Sequence, residues 1–281
     1  MLVGAPLVAC TLLIAGCTTS FVYNRLDTLA SWYFESLVSL NDEQRSELRA
    51  WLGRTLAWHR ESELSRYAAF VSEVSTTVAQ PSPRETYDAM RIRFQDMLDE
   101  LIAKTAPEAS RLLLQLSPEQ VEELLQSLEE KSRKSMRESA AAAARDEWRP
   151  KQTKSILKQV KRWTGSVTPQ QKELVTATIA QLEPTYEDWA DSQRAWRGAL
   201  RQALSQRRAA EDDAAAPQVL AILEDPDRHW TPAYSQKVTR NRERYQQLLV
   251  HLDASLTPQQ RSHLRRQLNE LAATLAGLSR A

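Results

Sequence analysis

The sequence predicts an all-α fold, either a multi-helix bundle or an extended curved array of long amphipathic helices. Only six glycines occur in 281 residues, and two of them, Gly4 and Gly16, fall in the apolar N-terminal segment, so the body has few positions suited to tight turns. Ala, Leu, Gln, Glu and Arg dominate the remainder, a helix former's composition. No run of alternating β-branched residues competes as a strand.

The elements follow from periodicity and punctuation. From Asn24 onward, Leu26, Leu29, Tyr33 and Leu37 recur at three and four with Trp32 beside them, a first amphipathic helix. Asn41 with Gln44 opens a second, which continues through Leu48, Leu52, Leu56, Phe70 and Val74 toward Pro81 as one long helix or two with a bend. Ser82, Pro83 and Glu85 start the next, which carries Tyr87, Met90, Phe94, Met97, Leu98 and Leu101. Ser117, Pro118 and Gln120 start another, which contains Ala140 to Ala144 and should end or kink at Pro150. The lysine-rich stretch from Lys151 to Trp163 stops at Gly165 and reads as a connector between two halves, residues 17–150 and 151–281, which also fit one continuous domain. Thr168, Pro169 and Gln171 begin a helix kinked near Pro184 and reaching toward Arg208. Residues 209–217 read as a loop or weak helix end, followed by a short helix from Gln218 to Leu223, a turn at Asp225 to Asp227, and two last helices opening at Thr231 and Thr257.

Four starts share one grammar: L-N-D-E-Q at Leu40 to Gln44, L-S-P-E-Q at Leu116 to Gln120, V-T-P-Q-Q at Val167 to Gln171, and L-T-P-Q-Q at Leu256 to Gln260. Capping chemistry accounts for it. The Asn, Ser or Thr oxygen accepts from a first-turn N–H, the glutamine reaches back to the cap, and the preceding Leu or Val packs as a staple. The starts group as Asn41 with Ser117 and Thr168 with Thr257, 76 and 89 residues apart, compatible with a duplicated two-motif unit and two similar halves. Trp51 and Trp58, however, do not align with Trp189 and Trp196 without a gap.

Residues 2–16 carry no charge and are too short to span a bilayer comfortably, which suits the apolar region of a secretory signal. The string Leu13, Ile14, Ala15, Gly16, Cys17 resembles the bacterial lipobox, with cleavage between Gly16 and Cys17 and a lipid on the Cys17 sulfur. The positively charged start usual in such signals is missing, which points to a start codon upstream of Met1. Cys10 would leave with residues 1–16, so the mature chain would keep no free thiol, and no disulfide framework, thiolate nucleophile or cysteine zinc site is available to the body. Thr18, in place of the aspartate associated with inner-membrane retention, favours the outer membrane facing the periplasm. Acyl chains burying about 0.8 kcal/mol per methylene would make that attachment effectively permanent.

Thirty-seven basic residues against 36 acidic ones leave a net charge of +1, which gives no field to draw in nucleic acid. The mixed charges read as solvated helix faces. There is no glycine-rich phosphate loop, G-x-S-x-G elbow or H-E-x-x-H, and no cofactor or catalytic role is expected.

The L-T-x-x-Q grammar resembles that of the small helical periplasmic proteins related to Spy and CpxP, stress-response chaperones and regulators. A resemblance covering more of the chain rests on L-D-T-L-A-S-W-Y at Leu26 to Tyr33, L-N-D-E-Q-R at Leu40 to Arg45 and W-H-R-E-S-E-L-S-R-Y at Trp58 to Tyr67. These segments are similar to an uncharacterised family of proteobacterial lipoproteins that holds a domain of unknown function. That resemblance implies lipidation and a helical body and brings no catalytic residues with it.

Two constellations could carry chemistry. His59 and Glu63 lie four apart near the apolar face of the second helix with Trp58, Arg60, Arg66 and Tyr67 alongside. They form either a metal or proton-handling site or a hydrogen-bonded cluster that fixes helix packing, and no nearby motif supplies further metal ligands. Tyr186, Trp189 and Trp196, continued by Leu200 and Leu204 and flanked by Arg194, Arg197 and Arg201, form a helix seam or a groove for apolar peptide or lipid. The sequence thus leads to an outer-membrane lipoprotein with a binding or chaperone-like body for a periplasmic protein or unfolded client. The alternative is an envelope-assembly lipoprotein with one dedicated partner.

Overall fold

Local side-chain chemistry decides where the helices begin. The computed structural model describes residues 20, 22–144, 147–206 and 215–280. Helix α1 spans Leu26–Glu35 and α2 Asp42–Trp58, and a π-helical turn, His59–Glu63, joins α2 directly to α3, Leu64–Thr77. Then come α4 (Arg84–Leu114), α5 (Pro118–Ala144), α6 (Trp148–Thr164), α7 (Pro169–Gln181), α8 (Tyr186–Gln206) and α9 (Ala215–Glu224). A 3-10 turn, Pro226–His229, leads to α10 (Pro232–Ala254) and α11 (Pro258–Leu278). The described residues form an all-α multi-helix arrangement without strands, and among them no helix is long and apolar enough to cross a membrane. Gly16, Cys17 and Thr18 lie outside the described residues, as do 209–214 of the predicted loop.

All four repeated starts form reciprocal capping boxes. Asn41, Ser117, Thr168 and Thr257 each accept from the backbone N–H of the glutamine three residues on, and each glutamine accepts from its cap's N–H. Each glutamine also has a second partner. The Nε2 of Gln44 donates to Gln120 Oε1 at 2.9 Å and the Nε2 of Gln120 donates back at 2.7 Å. Gln171 and Gln260 exchange the same two bonds at 2.9 Å each. The remaining amide proton of each goes to a loop carbonyl beside its partner's helix start: Gln115, Ser39, Ser255 and Ser166 for Gln44, Gln120, Gln171 and Gln260. Both donors and both lone pairs of every carboxamide are thereby used. The clasps join the same starts that sequence spacing groups together.

Several elements depart from the sequence reading. Pro150 does not end α5; it sits in the first turn of α6, where its missing N–H leaves no bond unmade. The region near Pro184 is a break between two helices rather than a kink in one. Leu182 turns extended, as suits the approach to an X-Pro step, and Asn241 accepts from the N–H of Glu183 at 2.9 Å while donating to its carbonyl at 2.7 Å. Ser82 does not cap α4; Pro83 takes the N-cap position, and the Ser82 N–H donates to Asp253 at 2.9 Å. The lysine-rich stretch is helix α6, ended at Gly165 with φ +79°, where an added Cβ would meet the His263 ring at 3.2 Å.

The packing crosses the chain's midpoint. The last helix, α11, runs antiparallel along α3, since Arg261 donates to the Val78 carbonyl at 2.8 Å and Ser75 to that of Arg265 at 3.3 Å. Small buried residues, Ala68, Ser75 and Ala272, line these two helices. Arg261 also meets Asp253 at 2.7 Å in a nearly buried ion pair that ties α10 to α11. Helix α5 packs on α8, and α9 on α4 and α8, around a core of Leu37, Val38, Leu116, Leu124, Leu125, Leu200, Leu204 and Val219. A second core joins α6, α7 and α10 through Ile156, Val175, Ile179, Leu182 and Leu248.

Candidate functional site

The His59 cluster falls on the π-helical turn, which adds a residue to the helical ladder and re-aims the side chains. His59 Nδ1 meets the Tyr23 hydroxyl at 2.8 Å, and the ring of Tyr67 stands edge-on to the imidazole with centroids 5.4 Å apart. Arg60 donates to Asn24 at 3.0 Å and lies over the Tyr23 ring at 5.5 Å. Trp58 packs edge-on to His59 and carries Lys104 over its own ring at 5.5 Å.

Glu63 is 2% exposed and accepts from Arg66 at 3.1 and 3.2 Å, while Arg66 also pairs with Glu100. Burial holds the His59 pKa below its ordinary value against the opposing charge of Glu63. Burial, then Glu63, pushes the Tyr67 hydroxyl up to about 12. The hydrogen bond to Glu100, then the charge of Glu63, raises the Arg66 pKa. Among the described residues, no three His, Cys, Asp or Glu side chains come together as a metal site. The cluster fastens Tyr23 and Asn24, on the segment before α1, to the middle of the α2–α3 rod. Sequence spacing gave no signal for Tyr23, Asn24 or Glu100, which arrive from 34 to 36 residues away.

The predicted aromatic stripe is divided. Trp196 of α8 donates its indole N–H to the Ile222 carbonyl at 3.3 Å and lines an apolar cavity. Arg197 is buried beside it in sequence; desolvation lowers its pKa and the charge of Glu129 opposes the shift. Tyr186 and Trp189 are half-buried on the same helix and do not line that cavity.

The cavity measures about 320 Å³. Tyr33 and Phe34 of α1, Leu48 and Trp51 of α2, Leu112 and Leu113 of α4, Leu124 and Leu128 of α5, Trp196 and Leu200 of α8 and Leu223 of α9 form its walls. Gln44 of the first clasp stands at its edge. With few polar partners on its walls the space is poor for water and suited to an apolar guest. A wider cleft of about 880 Å³ runs beside α11 past Pro81, Arg261, Arg265 and Glu270, but it is open and Arg261 in it is committed to Asp253 and Val78.

A helical body fastened by two glutamine clasps, the first of them beside an apolar cavity, is the class these features define. A family of unknown function, DUF6279, matches residues 36–235, and the chain belongs to that family. No curated protein and no solved structure matches it. The matched span holds the cavity's α2, α4, α5, α8 and α9 walls, the π-helical turn and the first clasp; Gln260 of the second clasp lies beyond it.

Proposed function

We propose that this chain is a lipoprotein, cut before Cys17 and held by that cysteine in the outer membrane facing the periplasm, whose helical body binds apolar segments of protein without catalysing a reaction. The observation that carries the binding role is the apolar cavity at the first clasp, where six helices contribute aliphatic and aromatic walls. The repeated L-T-x-x-Q starts and their resemblance to Spy and CpxP support a chaperone-like use of that surface. The lipobox string Leu13 to Cys17 supports the anchor.

The purified chain should suppress aggregation of an unfolded client at equimolar ratio, and Leu113→Trp, which fills the cavity from α4, should remove that effect while leaving the far-UV helical signal in place. Suppression that survives Leu113→Trp would move binding elsewhere on the body. Incorporation of labelled palmitate, lost in Cys17→Ser, tests the anchor separately.

The cavity's modest volume favours a second reading, in which one dedicated envelope partner inserts a few apolar side chains. A photo-crosslinker at Trp51 should then give one dominant adduct in cells. A diffuse ladder supports the chaperone-like reading instead.

A further inference from the structure

Helix α1 is amphipathic and turned inside out. Its polar side faces the protein: Ser31, 3% exposed, donates to Glu35 at 2.8 Å, and Glu35 pairs with Arg45 and Arg49 of α2. Its apolar side faces outward, with Leu26 39%, Leu29 42%, Trp32 66%, Tyr33 54% and Phe34 38% exposed, and Val22 just before it at 36%. Among the described residues only Ile92 and Leu249 are other exposed large apolar side chains, so this is one contiguous surface rather than scatter.

Of the expected stripe of Leu26, Leu29, Tyr33 and Leu37, the first three therefore face outward, while Leu37, past the end of α1, is buried in the core. A helix that turns Ser31 and Glu35 to its own protein, keeps Asp27 and Thr28 in solvent and leaves Trp, Tyr, Phe and Leu outside has the composition of an interfacial membrane helix, in which aromatic rings sit at headgroup level. Lys131 of α5 lies 4.3 Å over the Tyr33 ring and bonds Ser36 at 3.3 Å, setting a cation at the margin of the face, as suits anionic headgroups.

Chain length names the occupant. Leu26 follows Cys17 by nine residues. Even fully extended, that distance is about 30 Å, so an attachment at Cys17 or in the apolar residues before it keeps α1 at the bilayer.

We infer that α1 docks flat on the lipid surface through Val22, Leu26, Leu29, Trp32, Tyr33 and Phe34. The inference rests on the membrane attachment proposed above. Tyr33 and Phe34 also line the apolar cavity, so this docking brings the cavity's rim to the membrane. The Tyr23–His59 and Asn24–Arg60 bonds hold the segment before α1 and fix its angle to the α2–α3 rod.

The test uses the full chain purified from membranes and reconstituted into phosphatidylethanolamine–phosphatidylglycerol vesicles, in a Cys10→Ser background. A polarity-sensitive fluorophore is placed at Trp32→Cys and, as controls, at Ile92→Cys and Leu249→Cys. Flotation with the vesicles reports attachment, and quenching by lipids spin-labelled near the headgroup reports docking. The inference predicts that the label at 32 loses most of its fluorescence while those at 92 and 249 keep theirs. A Leu29→Glu change should restore the signal at 32 without altering flotation.

Flotation without quenching at 32 overturns the docking and leaves the attachment standing. A blue-shifted but unquenched label at 32, with disulfide-linked dimers forming in the unlabelled Trp32→Cys chain, assigns the face to a second copy and also overturns the inference. Failure to float overturns the attachment, and the docking falls with it.

Discussion

Gln44 and Gln120 meet at a half-exposed junction beside the apolar cavity, whereas Gln171 and Gln260, joined by the same hydrogen bonds, are 0% and 1% exposed. At the first junction water can take over any bond that breaks. At the second it cannot, and a lost partner leaves buried donors and acceptors unmade. The same motif therefore makes a joint able to open in one place and a fixed pin in the other. The joint able to open is the one that borders the cavity.

Substitutions at the two clasps should separate them. Gln171→Ala removes a buried carboxamide and strands Gln260 and the Thr168 N–H, and should cost about 3 kcal/mol in urea unfolding. Gln44→Ala should cost about 1 kcal/mol, the ordinary loss of a cap, since solvent replaces the rest. Equal losses would erase the distinction. A double-mutant cycle sharpens it further: coupling between Gln171 and Gln260 should exceed that between Gln44 and Gln120.

Acid should separate the two regions more gently. His59, on the rod that Asn41 caps, has a folded pKa below its ordinary 6.5 because it is partly buried. The unfolded chain therefore takes up a proton first, and stability falls as pH drops through 6.5 toward the folded value, then levels. Near the second core, hydrogen bonds from Arg240 and then Arg244 hold Glu183 at about 2, against an ordinary 4.5. Its contribution is present above 4.5 and is lost as pH falls toward 2. Its side chain is 31% exposed, so salt should diminish it. His59→Gln should abolish the loss near neutrality and leave the acid limb unchanged, read from unfolding midpoints across pH.

Capping made much of this fold legible. Asn41, Ser117, Thr168 and Thr257 act within one turn of their own helices, so each helix start was readable from its own residues. What sequence could not supply was set by contacts between distant segments. That Gln44 grips Gln120, that Tyr23 seals His59, and that Trp196 but not Trp189 reaches the cavity all depend on how rods lie against one another. The apolar period of α1 was readable, but its direction was not, because the same pattern serves a protein core or a lipid surface. Pro150 misled for a related reason: proline ends a helix or begins one, and only the helix start at Trp148 decides which.

Hydrogen exchange at the four capping amides tests the distinction between the clasps most directly. The backbone N–H groups of Gln44, Gln120, Gln171 and Gln260 make the same bond to Asn, Ser or Thr oxygens at 2.8 to 3.2 Å, so local geometry alone would protect them alike. With the first clasp able to open and the second fixed, the amides of Gln44 and Gln120 should exchange at least tenfold faster, about 1.4 kcal/mol in opening free energy. Matching protection at all four, or faster exchange at Gln171 and Gln260, would contradict the account.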